Sequence, residues 1–182
     1  MRKLYTRRGD FGETDLLGER VSKDDPRIDL MGDLDETTSS LGFARSLIGP
    51  GRLADIVIEV QRDLYRVMAD LAFVSETRPP GFETNAEWVT NIEAITDTLT
   101  AEIELPRAFV LPGETQPSAA LDVARTVVRR AERHAVYLYR AEVITNEHIV
   151  SYLNRLSSLL FILARHVEAD LGQTAARART ET

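Results

Sequence analysis

Between residues 146 and 171 the apolar side chains Ile149, Leu153, Leu156, Leu160, Leu163 and Val167 follow one another in steps of four and three. That spacing sets all six on one stripe of an α-helix and cannot line one face of a strand, whose period is two. A single amphipathic helix gains most of its stability by burying its stripe, so this stretch demands helical partners. The chain supplies four. Residues 117–142 carry Leu121, Ala124, Val128, Ala131, Ala135 and Leu138, a seam whose alanines allow a neighbour to come close. Residues 53–74 carry Val57, Val60, Leu64, Val67, Leu71 and Val74. Residues 33–48 offer Leu34, Leu41, Ala44 and Ile48 and stop at Gly49-Pro50-Gly51. Residues 86–104, capped by Asn85 or Thr84, turn Trp88, Ile92, Ile95 and Leu99 inward. No segment alternates in a strand-like way. The expectation is an all-α, up-and-down five-helix bundle, a four-helix core plus one.

The first 29 residues show no helical period. They hold Gly9, Gly12, Gly18 and Pro26 among Arg7, Arg8, Arg20, Lys23 and Arg27. Glycine lets a ligand approach backbone N–H groups and cations attract phosphate, so this is a candidate binding loop. Its acidic residues also suit a solvated tail. No Walker P-loop occurs in it. The domain plan is therefore one domain over 1–182: the loop 1–29, the bundle 33–171, and a flexible tail 172–182 after Gly172.

Charge narrows the function. With 22 basic and 29 acidic residues the net charge is −7, which argues against generic nucleic-acid or anionic-membrane binding. There is no cysteine, so disulfides, thiolate metal sites and cysteine nucleophiles are excluded. His134, His148 and His166 lack metal-ligand spacing and read as surface or packing residues, so no metal site is expected. The longest apolar run is too short for a bilayer and no signal peptide is evident, which makes a cytoplasmic protein the default. Within this acidic chain, Arg125, Arg129, Glu132 and Arg133 share one face of the 117–142 helix. A solvated, salt-bridged face would look like this. So would a polyphosphate grip, because guanidinium takes phosphate oxygens in a bidentate fork.

Blocks at 6–16, 18–27, 32–42, 109–113, 124–133 and 153–165, in this order along nearly the whole chain, resemble the PduO-type ATP:cob(I)alamin adenosyltransferases. The family's T-[KR]-T-G-D-x-G-x-T-x-L is similar to Thr6-Arg7-Arg8-Gly9-Asp10-Phe11-Gly12-Glu13-Thr14-Asp15-Leu16. G-E-R-V-x-K-D-D-P-R is present at 18–27, and G-x-x-D-E-x-x-S-x-[LI]-G resembles 32–42. A weaker block lies at Gln61-Arg62-Asp63-Leu64. F-x-L-P-G follows at 109–113, A-R-x-x-x-R-R-A-E-R at 124–133, and L-N-R-L-S-x-L-L-F-x-L-A-R at 153–165. The chain departs from the family at Arg8, where threonine is usual, at Glu114, where a second glycine often stands, and at Ser158, where aspartate often stands.

The resemblance implies transfer of the 5′-deoxyadenosyl group of ATP, brought with Mg²⁺, to cob(I)alamin, with release of triphosphate. It implies a homotrimer with sites between subunits, and a reductase and a cobalamin-dependent enzyme as partner classes. By the match, Thr6, Arg7, Arg8, Gly9, Thr14, Lys23, Arg129, Arg130, Glu132, Arg133 and Asn154 form the ATP site. Arg129, Lys23 and Glu132 are its catalytic candidates. Asp35 would pair with Arg125 across the interface, and Phe109 would close the cobalamin side; on residue type alone Phe109 reads first as a core ring under a loop. A bundle that holds ATP or cobalamin for delivery or regulation without turnover is the alternative.

Overall fold

The computed structural model describes residues 5, 7–73 and 78–179; Thr6, and Val74 at the expected end of the second helix, lie outside them. A short antiparallel hairpin comes first, β1 (Glu13–Asp15) and β2 (Arg20–Ser22), with Thr14 opposite Val21. Five helices follow: α1 (Pro26–Ile48), α2 (Arg52–Ala72), α3 (Ala86–Ala101), α4 (Gln116–Arg140) and α5 (Glu147–Asp170). They alternate in direction. The hairpin turn, α2's end and the starts of α3 and α5 meet at one end of the bundle, where Leu17 N–H donates to Ala72 O and Asn146 Nδ2 to Thr84 O.

Helix α5 is the centre. It packs between α4 and α3, while α1 packs between α4 and α2. Its six-residue stripe is buried, and so are Tyr152, Leu159, Ile162 and Ala164 on its other faces. The α4 alanines Ala124, Ala131 and Ala135 are fully buried, as a close helix contact requires. Caps mark the starts. Asn85 accepts from Trp88 N–H at 3.2 Å, Asn146 accepts from His148 N–H at 3.0 Å, and Thr115 and Ser118 cap α4 reciprocally. No described helix is long and apolar enough to cross a membrane.

Three features differ from the sequence expectation. Helix α1 begins at Pro26 rather than at 33, because Asp25 caps it, accepting from Arg27 N–H at 2.9 Å, and proline at the first turn needs no partner for a missing N–H. The glycine loop contains strands. Each has three residues, too few to show alternation, and Arg20 staples them by bonding Glu13 and Asp15 at 2.8 Å each. The tail does not hang free over 173–179. It pairs with the connector before α4: Leu111 N–H donates to Ala176 O at 2.8 Å, and Ala178 N–H donates to Phe109 O at 2.7 Å.

Candidate functional site

The stretch of α4 between 125 and 133 carries four arginines, and the structure gives them different work. Arg125 is half-buried and donates to Asp122 Oδ1 at 2.9 Å within its own helix. Arg130 turns to α1: its Nε donates to Asp33 Oδ1 at 2.9 Å and its Nη2 reaches Glu36. The Asp33 bond holds Arg130 above the ordinary guanidinium pKa. Asp33 is buried, and His134 Nδ1 lies 2.7 Å from its second oxygen. Arg133 is exposed and donates to the Arg129 carbonyl at 2.9 Å. Arg129 is exposed, and among the described residues its guanidinium has no partner. Of the four, it alone is unengaged there.

Beside it, Glu132 accepts from Asn154 Nδ2 at 2.7 Å, joining α4 to α5. Asn154 Oδ1 in turn accepts from Arg155 Nη1 at 2.6 Å, and Arg155 Nε donates to Glu93 of α3 at 2.6 Å. This relay fixes the orientation of Asn154, which in turn holds the Glu132 carboxylate. The sequence reading named Glu132 and Asn154 but missed Arg155 and Glu93. Arg155 stands in the same N-R-L-S block, whereas Glu93 has no local signal: only the packing of α3 on α5 brings it there.

At the other cluster, Gly9 sits against Lys23, whose Nζ would lie 3.1 Å from a Cβ on that glycine. Any side chain at 9 would push the ammonium aside. Arg7 has a left-handed backbone (φ 63°) and its guanidinium lies 5.6 Å from the centre of the Tyr5 ring. Arg20 Nη2 donates to the Arg8 carbonyl at 2.8 Å, which ties the loop's start to β2, and Thr14 is in β1. Lys23 is exposed, and no described residue pairs with it. Arg27 bonds both Asp25 and Glu19, so it serves the start of α1 rather than a ligand.

The expected site residues therefore fall into two groups. Arg129, Glu132, Arg133 and Asn154 lie together; Gly9, Thr14 and Lys23 lie together. Among the described residues no hydrogen bond or ion pair joins the two. Arg130 stands apart from both, engaged by α1. Asp35 is exposed on α1, and Arg125 is held by Asp122, so the pair proposed from the sequence is not made within one chain. Phe109 is 91% exposed, which removes the reading of it as a core ring.

The cobalamin adenosyltransferase family model matches residues 4–167. A corrinoid adenosyltransferase of Bacillus subtilis is 39% identical over 174 residues, covering 93% of this chain and 89% of the relative. The corrinoid adenosyltransferase PduO of Salmonella typhimurium is 36% identical, and this chain spans about half, 51%, of its length. A phenylalanine-to-alanine variant of a PduO-type ATP:corrinoid adenosyltransferase from Lactobacillus reuteri, solved with cobalamin and ATP, superposes with a TM-score of 0.89 at 34% identity, covering 98% of this chain and 100% of that one. By its five-helix fold, its ordered motifs and these matches, the chain belongs to the cobalamin adenosyltransferase family.

Proposed function

We propose that this chain transfers the 5′-deoxyadenosyl group of ATP to cob(I)alamin, forming adenosylcobalamin and releasing triphosphate, as a homotrimer with sites between subunits. The family assignment and the Lactobacillus relative's complex with cobalamin and ATP support the substrates. The electron pair of Co(I) attacks the ribose C5′, the C5′–O bond breaks, and its electrons leave on triphosphate. Such a nucleophile needs no activated side chain, so the protein's tasks are alignment and stabilisation of leaving charge.

The observation that carries this reading is Arg129. It lies one helical turn from both Arg125 and Arg133, yet its guanidinium alone has no described partner. An unengaged fork in a stripe of otherwise engaged arginines is available for phosphate oxygens. Lys23, beside the glycine turn, supplies a second cation, and Mg²⁺ travels on the phosphates as part of the substrate. Glu132, oriented by Asn154, positions the arginines or the nucleoside. Thr6, Arg7, Arg8, Gly9 and Thr14 complete the loop side. Arg130, held by Asp33 and Glu36, contributes by fixing α4 against α1.

The separation of the loop group from the α4 group supports a site completed by a second chain. In a three-fold ring each interface joins different surfaces of two copies, so one copy's loop can face its neighbour's stripe. Exposed Asp35 would then meet Arg125 of the adjoining copy. Phe109, exposed to solvent in the single chain, would be covered by the corrinoid. There it blocks the lower axial side, and Co(II) without that ligand is easier to reduce. A reductase supplying one electron and an enzyme consuming adenosylcobalamin are the partner classes this chemistry requires, and the setting is cytoplasmic.

The test is anaerobic mixing of the protein with ATP and chemically reduced cobalamin. Cobalt–carbon bond formation should follow with one triphosphate released per adenosylcobalamin. Binding of both substrates without triphosphate release would instead mark a delivery module. A monomeric mass in solution would refute the trimer, and Asp35→Ala should weaken assembly or activity.

A further inference from the structure

The connector that carries Phe109 has little to sit on. Residues 107–109 and 111–114 are all exposed, and only Val110 is half-buried between them. Behind it lies an open cleft of about 710 Å³ between Pro106 and Arg107 on one side and Ala169, Gly172 and Ala175 on the other. Side-chain packing therefore does not fix this segment. Two prolines bound its centre and shorten its choices, but they do not place it against the bundle.

What holds it is backbone. Ala178 N–H donates to Phe109 O at 2.7 Å and Leu111 N–H donates to Ala176 O at 2.8 Å, flanking the antiparallel Val110–Arg177 bridge. The tail is itself anchored. Gly172 turns the chain back with φ 67°, Gln173 N–H donates to Glu168 O at 2.8 Å, and Ala175 is buried. The residue whose carbonyl is grasped is the one whose ring is 91% exposed. A strand bond at Phe109 O limits rotation of that residue's backbone and so the direction of its ring.

We infer that residues 173–179 are a strap that positions Phe109, and that Ala178, through its backbone N–H, is a positioning residue for the Co(II) step. The functional half of this inference rests on the cobalamin reading of Phe109 above. The strap acts on the ring's placement, not on ATP, whose proposed contacts lie on the loop and on α4.

Ala178→Pro deletes the N–H donated to Phe109 O, while Ala178→Ser retains it. Ala175→Asp loosens the strap at its buried anchor. In the full-length protein, the Leu111 amide should exchange about tenfold faster in Ala178→Pro and in Ala175→Asp than in wild type, and Ala178→Ser should match wild type. With chemically pre-reduced cob(I)alamin, Ala178→Pro should turn over as wild type, with the same affinity for ATP. Starting from Co(II) and an added one-electron reductant, its rate should fall by on the order of ten- to a hundredfold, with loss of the four-coordinate Co(II) spectroscopic signature. Phe109→Ala should likewise lose the Co(II) rate and the four-coordinate signature. Unchanged Leu111 exchange in both loosened variants overturns the strap. Faster exchange with a normal Co(II) rate, where Phe109→Ala is slow, overturns the positioning role. If Phe109→Ala itself keeps a normal Co(II) rate, the cobalamin reading falls and the positioning role with it, while Leu111 exchange still decides the strap.

Discussion

Helices α4 and α5 share two clusters built from the same residue types, and the two have opposite fates. Toward the start of α4 and the end of α5, Asp122, Arg165 and Glu168 are 4%, 5% and 2% exposed. Arg165 Nη2 bonds Asp122 at 2.8 Å and Glu168 at 2.9 Å, and Arg125 takes the other Asp122 oxygen. The Arg165 guanidinium also lies 5.1 Å from the centre of the Phe161 ring. Burial raises the Glu168 carboxyl above its ordinary pKa. Midway along the same helices, Arg129 is exposed with no described partner, and Glu132 has Asn154 rather than an arginine. Burial with mutual charge pairing makes the first cluster structural. Exposure with an unengaged guanidinium leaves the second open to a ligand. Residue type alone does not distinguish them.

The strongest way to break this contrast is Arg165→Met. It leaves Asp122 and Glu168 buried with one cation removed, and should cost about 3–5 kcal/mol in denaturant unfolding. Protein that still folds should keep turnover within about threefold of wild type. A loss of stability under about 1 kcal/mol would mean that this cluster is as solvated as the other.

Arg129→Ala should do the reverse. Its unfolding free energy should change by no more than about 0.5 kcal/mol. Its kcat should fall by about 10²–10³, the cost of one preorganised donor. Arg129→Lys should recover part of this, since an ammonium keeps charge but lacks the fork. Turnover within a factor of about three would show the stripe to be a solvated face.

Much of the fold was legible because burial imposes periodicity. The α5 stripe, the α4 alanine seam and the Asn85 cap all carry their packing in their spacing, and each is found where its spacing places it. What was not legible depends on pairing across the fold. Nothing local tells that Arg130 serves α1 while Arg129 does not: they are adjacent, and the 100° between them decides which meets Asp33. The hairpin strands are too short to alternate, and the tail's bonds to 109–111 are backbone bonds that no side chain announces. Of the site, Glu132 and Asn154 were named from motif blocks in different helices, and the fold puts them 2.7 Å apart.

Arg130 tests the boundary between the two behaviours. Its Asp33 partner is buried, but its own side chain is 40% exposed. If it braces α1 against α4, Asp33→Asn and Arg130→Gln should each cost about 1–2 kcal/mol of stability, with little change in the KM for ATP. A raised KM at unchanged stability would instead return Arg130 to the ATP-binding group.

The smallest effect belongs to Asp25, midway in character: 21% exposed, capping α1, and paired with Arg27. The Arg27 hydrogen bond holds its carboxyl below the ordinary value of 3.8, against the opposing pull of partial burial. Because the folded pKa is the lower one, the pair's contribution is fully present above the unfolded value and is lost as pH falls through the folded one. Asparagine caps as well as aspartate but cannot ionise. Asp25→Asn should therefore lower stability at pH 7 by under about 1 kcal/mol. Asp25→Ala, which loses the cap as well, should cost about 1 kcal/mol more. Unfolding followed from pH 7 to pH 2 should bring Asp25→Asn and wild type together at the acid end. If they stay apart by the same margin throughout, charge at Asp25 contributes nothing, and the pair belongs with the solvated ion pairs of the surface.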